Sequence, residues 1–329
     1  MTKYPSLKAG YQTIHGRQRN KVVMIQKKLY LFVGLVSVQL LAFGQHFHYL
    51  DSVSTGDDQT HMFLSVEIPT GEFALSSSTQ CGLALTRMAA ADSAYLPSLQ
   101  TGHDREGNHR RHLSIKPTGI VSQGNMSAAS MRLSDHMTSL NAYTGENTIR
   151  TEYYHDPSMA TDVSLDLGMG TSMLNLSDMM IKNLVIHSAF SDVNLQYDQP
   201  NKMQMDKMDI HVVRADIFIQ NLEQAKVKLV TIQNDMGDTK VELGSNSPRY
   251  STVYIQAGVG NCTLAIEDDH PVKIIVKRGM FSSLNFDEAN FRKLDKNVLV
   301  NKAYRPDHPE EATKIICNVD LGDVNLVKN

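Results

Sequence analysis

The sequence predicts an all-β fold, a β-solenoid-like or stacked-sheet repeat, and three observations carry that prediction. First, six segments share one pattern of alternating apolar residues, a glycine or polar kink, and alternating apolar residues again. They are DVSLDLGMGTSMLNL (162–176), NLVIHSAFSDVNLQY (183–197), MDIHVVRADIFIQ (208–220), VKLVTIQNDMGDTKVEL (227–243), STVYIQAGVGNCTLAI (251–266) and TKIICNVDLGDVNLV (313–327). Second, an inward apolar position is followed seven residues on by the next inward position: Leu167 to Leu174, Ile186 to Val193, Val212 to Ile219, Ile232 to Thr239, Ile255 to Cys262 and Val319 to Leu326. Side chains alternate faces along a strand, so an odd step keeps the core side only if the chain turns a corner between two arms. Gly168, Gly170, Gly237, Gly258, Gly260 and Gly322 stand where that corner falls, and glycine reaches dihedrals closed to other residues. Third, the anchors Leu167, Ile186, Val212, Ile232 and Ile255 lie 19, 26, 20 and 23 residues apart. A period of about 20 with strands as the only regular element describes rungs that bury their apolar faces against one another.

Taken in order, the chain opens with a segment of a different kind. Residues 1–44 hold seven Lys/Arg and no acid, and Leu29–Phe43 (LYLFVGLVSVQLLAF) is an almost unbroken apolar run after Lys27 and Lys28. The run falls short of the roughly 20 residues that span a bilayer, and Ala42 and Gly44 supply small residues at −3 and −1. Residues 1–44 therefore read as a secretory signal cleaved before Gln45, with 1–23 as an upstream extension of a signal that starts at Met24. Cleavage leaves 25 of the 32 basic residues against all 35 acidic residues, a net charge of −10. Such a chain is repelled by nucleic acid and by anionic lipid.

Residues 45–160 form a less regular N-terminal region. MFLSVEIPTGEFALS (62–76) is a lone copy of the strand, kink and strand unit, placed to cap or join the later sheet. GLALTRMAAADSAYL (82–96) has the Ala, Leu and Met content of a helix without a clean apolar face. TGHDREGNHRRH (101–112) is a charged loop, HLSIKPTGIV (112–121) a strand broken at Pro117, and NTIRTEYY (147–154) a strand. The repeat domain then occupies 161–329, with polar surface connections such as Tyr197–Lys207 and Gly244–Tyr250.

The last third carries a resemblance. In VKIIVKRGMFSSLNFDEANFRKLDKNVLVNKAYRPDHPEEATKIICNVDLGDVNLV (272–327), Gly279, Ser282, Ser283, Phe291, Tyr304, Gly322 and Val324 match the closing pattern of the toast-rack family. The earlier LDLGMG (165–170) matches its opening glycine turn. That family comprises β-repeat domains described as candidate adhesins and as the C-terminal domain of bacterial cell-wall-active antibiotic response proteins. The resemblance covers residues 160–329; Arg278 and Met280 depart from it where family members often place small residues. It implies a fold and an envelope location, and it brings no catalytic residues.

Chemistry is scarce. His103, His109 and His112 with Asp104 are the best metal candidates, but Arg105, Arg110 and Arg111 repel a cation and the spacing follows no single face, so a solvated loop is the favoured reading. Glu267-Asp268-Asp269-His270 and Asp307-His308-Pro309-Glu310-Glu311 lack the alternating ligands of a calcium loop and read as solvated turns. Met169, Met173, Met179, Met180, Met203, Met205 and Met208 read as core filling before a thioether metal site. Of three cysteines, Cys81, Cys262 and Cys317, the latter two fall on inward positions, where small buried hydrophobes are favoured over a disulfide. G-x-S-x-G, HExxH, a phosphate-cradling glycine loop and tryptophan are all missing from the sequence. The expected function is thus an exported, non-enzymatic module without cofactor or metal that binds a protein or glycan of the cell envelope, either as an adhesin-like surface module or as an envelope-stress accessory. The competing reading is a β-solenoid carbohydrate-active enzyme using the acidic loops at Asp268 and Asp307.

Overall fold

In this computed structural model the described residues are 47–54, 61–78, 83–90, 95–103, 109–117, 150–244 and 251–329. The proposed signal, residues 1–44, lies outside them, as do Cys81 and Asp104. The chain divides into two units, Met1–His48 and Tyr49–Asn329, and the second holds the architecture. After β1 (Phe47–Ser54), its strands are β2 (His61–Ser77), β3 (Leu83–Ala90), β4 (Tyr95–His103), β5 (His109–Pro117), β6 (Arg150–His155), β7 (Ala160–Asn175), β8 (Met180–Gln196), β9 (Met205–Val212) and β10 (Ile217–Gln220). There follow β11 (Val227–Met236), β12 (Thr239–Leu243), β13 (Thr252–Val259), β14 (Cys262–Ile266), β15 (Val272–Arg278), β16 (Leu284–Phe286), β17 (Phe291–Asp295), β18 (Val298–Asn301), β19 (Thr313–Leu321) and β20 (Val324–Lys328). The all-β stack of rungs is the predicted one.

Each rung has two arms, and rungs pair in parallel along both. The first-arm order is β5, β2, β7, β8, β9, β11, β13, β19, β15. The second-arm order is β6, β2, β7, β8, β10, β12, β14, β20, β16. The rung order departs from the chain order at both ends. At the start, β5 and β6 form the outer rung and the chain returns past β2 to make β7. At the finish, β15 and β16 form the outer rung and β19–β20 slots between it and β13–β14. Antiparallel strands then cover the ends: β4 on β5, β3 on β6, β18 on β15 and β17 on β18. A stack of parallel rungs exposes open edges that invite pairing with other chains, and closing strands remove that liability.

The alternation is as predicted, and its phase flips at the corner. In β7 the odd positions Thr161, Val163, Leu165 and Leu167 are buried, and after Gly168 the even positions Ser172 and Leu174 take over. Both arms thereby face one hydrophobic core. All twelve residues paired at seven-residue steps are buried. The six on the first arm belong, however, to two ladders two residues apart. One runs Val66, Leu165, Ile186, Ile210, Ile232, Ile255, Cys317 and Val276; the other runs Ile68, Leu167, Ser188, Val212, Asn234, Ala257 and Val319. A two-residue shift keeps the same face, so alternation alone could not separate them.

At the corner, Gly170, Gly237, Gly260 and Gly322 have φ near +140°. A Cβ on Gly260 would lie 2.0 Å from the Gly237 oxygen, and one on Gly322 would lie 2.0 Å from the Gly260 oxygen. Gly168 and Gly258 have ordinary dihedrals and serve close approach instead, to Pro69 and to Asp235. Where the β8 rung has Ser191 beside Gly170, the Ser188 hydroxyl braces the turn by donating to the Ser191 carbonyl at 2.6 Å and accepting its N–H at 3.0 Å.

Three sequence expectations are corrected. Residues 82–96 contain strand β3 and the start of β4, because pairing of Leu85–Ala89 with β6 overrides helical composition. The segment 101–112 is largely the ends of the β4–β5 hairpin, with residues 104–108 outside the described set. The connection Tyr197–Lys207 is not all surface: Tyr197, Asn201 and Met205 are fully buried. Asn201 accepts the Ile181 N–H and donates to the Ile181 and Met203 carbonyls, which ties the connection to β8.

Candidate functional site

The corner that joins the two arms also sets the most distinctive surface of the molecule. Just before the corner, the outward side chains of successive rungs are Glu67, Asp166, His187 and His211, in direct register. They border a groove of about 220 Å³ with Ile68, Pro69, Ala189 and Val213. The imidazoles of His187 and His211 meet edge to face, 6.3 Å between centroids. His211 Nε2 lies 3.4 Å from the Asp235 carboxylate, which is held below the usual range by a hydrogen bond from Gln233 and then by His211. Carboxylates and imidazoles in a row suit a polar or cationic group and repel an anion.

Next to the corner glycine, apolar residues point outward. Met169 pairs with Phe190, and Met236, Val259 and Leu321 form an unbroken ladder. Phe190, Met236, Val259 and Leu321 are each more than 40% exposed, and Met280 and Phe281 at the last rung are 90% and 77% exposed. An apolar row of this kind on a surface marks a contact site.

Immediately after the corner runs a third row, of Asp and Asn. Asp192 accepts the backbone N–H of Asp216, Asp216 that of Asp238, Asp238 that of Asn261, and Asn261 that of Asp323, at 2.8–3.1 Å. Asp323 accepts the Ser283 hydroxyl at 2.6 Å and its N–H at 3.3 Å. The Gly-Asp and Gly-Asn dipeptides of the sequence therefore have two duties: glycine turns the corner, and the acid or amide satisfies the next rung's N–H.

The candidates singled out in the sequence disperse. His103 and His109 are opposed across the β4–β5 hairpin and His112 opposes Gln100; Asp104 lies outside the described residues. Among the described residues no group of three or more His, Cys, Asp or Glu is arranged to hold a metal ion. Asp268 forms a 2.6 Å ion pair with Lys328, and Asp307 sits beside His308 at 3.7 Å. His270 is buried and structural, its Nδ1 2.7 Å from the Gly244 carbonyl oxygen and its Nε2 2.9 Å from the Thr313 hydroxyl. Met179, Met205 and Met208 fill the core, while Met173 is exposed. Cys262 and Cys317 are fully buried. Residues of the family resemblance also have visible work. Phe291, Tyr304 and Val324 are buried, and Ser282 donates to the Asp320 carbonyl at 3.2 Å. The outward apolar row was missed because exposed apolar residues look like core residues in a sequence; its signal was the apolar residue directly before each corner glycine.

No protein-family model and no curated protein matches this chain. Solved structures do, among them the following three. One, of a candidate cell adhesion protein from Clostridium sporogenes, is 13% identical with a TM-score of 0.41 and covers 86% of this chain and 100% of its own. A candidate adhesin from Bacteroides fragilis is 11% identical with a TM-score of 0.35, covering 86% and 97%. A candidate adhesin from Parabacteroides merdae is 8% identical with a TM-score of 0.32, covering 86% and 96%. These are likenesses in fold, and the functional argument rests on the chain's own surface. Among the described residues no helix is long and apolar enough to cross a membrane.

Proposed function

We propose that this chain is an exported, non-enzymatic binding module of the cell envelope, adhesin-like in its use of a rigid β stack to present a contact surface. Residues 1–44 act as its export signal, 45–160 as the closing region and 161–329 as the repeat domain. The observation that carries the reading is the triple row at the corner: carboxylates and imidazoles, then exposed apolar side chains, then Asp and Asn. Each row repeats with the rung spacing of about 4.8 Å, so the surface offers an elongated, periodic partner many equivalent contacts. A net charge of −10 after signal removal favours a neutral or basic protein or glycan over nucleic acid.

Two measurements test the two halves of the reading. Intact mass of the exported protein should place the mature N-terminus at Gln45; a mass that retains residues 24–44 overturns cleavage. Purified 45–329 should bind members of a panel of envelope polysaccharides and surface proteins without cleaving them. The triple variant Met236→Ser, Val259→Ser, Leu321→Ser should weaken that binding at least tenfold while the urea midpoint stays near its original value. Unchanged binding by the triple variant, or hydrolysis or lysis of any polysaccharide, contradicts the proposal.

A further inference from the structure

Cys262 stands on β14 in the second arm and Cys317 on β19 in the first, 55 residues apart in sequence. The fold brings their sulfurs to 3.3 Å inside the core, and neither side chain is exposed. Their ladder neighbours are Thr239 and Val324 for Cys262 and Ile255 and Val276 for Cys317. The two thiols are therefore each other's polar partner in an otherwise largely apolar environment. Nothing in the rung pattern demands sulfur here. The equivalent places on other rungs are held by Ile, Val, Leu, Phe, Ser or Thr, and the two rungs that carry cysteine carry it on opposite arms, where the arms face each other.

We infer that Cys262 and Cys317 are a disulfide site, a covalent tie between the two arms that forms while the chain folds under oxidising conditions. The chemistry with oxidised glutathione balances as follows. One thiolate attacks the glutathione disulfide and expels one glutathione thiolate; the second cysteine thiolate then displaces the other, so two protein thiols become one disulfide and one glutathione disulfide becomes two thiols. Joining the sulfurs needs an approach from 3.3 Å to about 2.05 Å. Timing follows from burial. In the closed core Cys317's hydrogen bond and the lack of water hold the Cys262 thiol well above its usual range, so a finished reduced fold reacts slowly with oxidant and a finished oxidised fold resists reductant. The bond closes a loop through β15–β18 and β19, the elements that give the last rung its out-of-sequence position. The inference rests on this geometry alone and does not depend on export.

The test is oxidative refolding of Cys81→Ser residues 45–329 from denaturant in a glutathione redox buffer, followed by N-ethylmaleimide treatment under denaturing conditions and intact mass. The expected product is a monomer two hydrogens lighter than the reduced chain with no maleimide added. A natively refolded chain that takes up two maleimides overturns the inference. Should the Cys81→Ser variant fail to fold, peptide mapping of the unsubstituted chain decides the same point: a linked pair of peptides containing Cys262 and Cys317 supports it, and a link from Cys81 to either one overturns it.

Discussion

At the level of single residues, burial and strain set the largest effects. Ile232 is fully buried in its ladder between Ile210 and Ile255, whereas its neighbour Thr231 faces outward and is part-exposed. Ile232→Ala should cost about 2–5 kcal/mol and Thr231→Ala within about 0.5 kcal/mol in urea melts; equal losses would contradict the alternation. Gly260 is a second such position. Its left-handed dihedral costs another residue about 1–3 kcal/mol, and the added methyl would also meet the Gly237 carbonyl. Gly260→Ala is therefore expected to lower the urea midpoint more than Thr231→Ala. His155 is the third. Burial first, and the Arg111 cation second, push its pKa from 6.5 down to about 4, and its Nε2 lies 2.9 Å from the Thr161 hydroxyl. The unfolded chain takes up the proton first, so this contribution is intact above about pH 6.5 and is lost as pH falls toward 4, roughly 3 kcal/mol in all. A pH series of urea melts should show His155→Gln with a shallower acid slope than the unsubstituted chain. At this scale the sequence was informative: inward positions and corner glycines could be read, because alternation and dihedral freedom are local properties. Which of two ladders a residue joins is decided by its neighbours in space, and there the sequence was silent.

Among the elements, rung formation was legible and rung order was not. The strand, kink and strand unit appears in every repeat, with glycine or a polar residue at the kink, because each rung must bury both arms and turn once. Nothing in MFLSVEIPTGEFALS announces that β2 lies between β5–β6 and β7, and nothing in the last segment announces that β19–β20 enters between β13–β14 and β15–β16. These pairings join stretches far apart in the chain, and their specificity lies in matched buried faces that resemble one another. The consequence is testable by truncation. Removing residues 313–329 strips the partner from both β13 and β15, and leaves Ile255, Leu264 and Ile274 without the ladder neighbours that cover them. The truncated chain should lose its cooperative unfolding transition, where a simple terminal rung would cost only its own share of stability. A truncated chain that retains a sharp transition at the original midpoint would show that β19–β20 is peripheral to the stack.

On the scale of the whole molecule, one stack makes both the core and the surface. The corner turns both arms inward toward shared hydrophobic packing, and the same corner aligns outward side chains into rows that repeat from rung to rung. The candidate site was only partly visible in the sequence: residues 67, 166, 187 and 211 are scattered in the chain and meet through register alone. The order of rungs is the claim on which that surface depends, and cross-linking tests it directly. With Cys81→Ser and the buried Cys262 and Cys317 left in place, a cysteine pair at Gln256 and Asn318, which are in direct register, should oxidise readily under native conditions. A pair at Gln256 and Lys277, separated by the intervening β19 rung and hence by about 10 Å, should not. Ready cross-linking of Gln256 to Lys277 with none to Asn318 would mean that rungs follow chain order, and would contradict the stack described here.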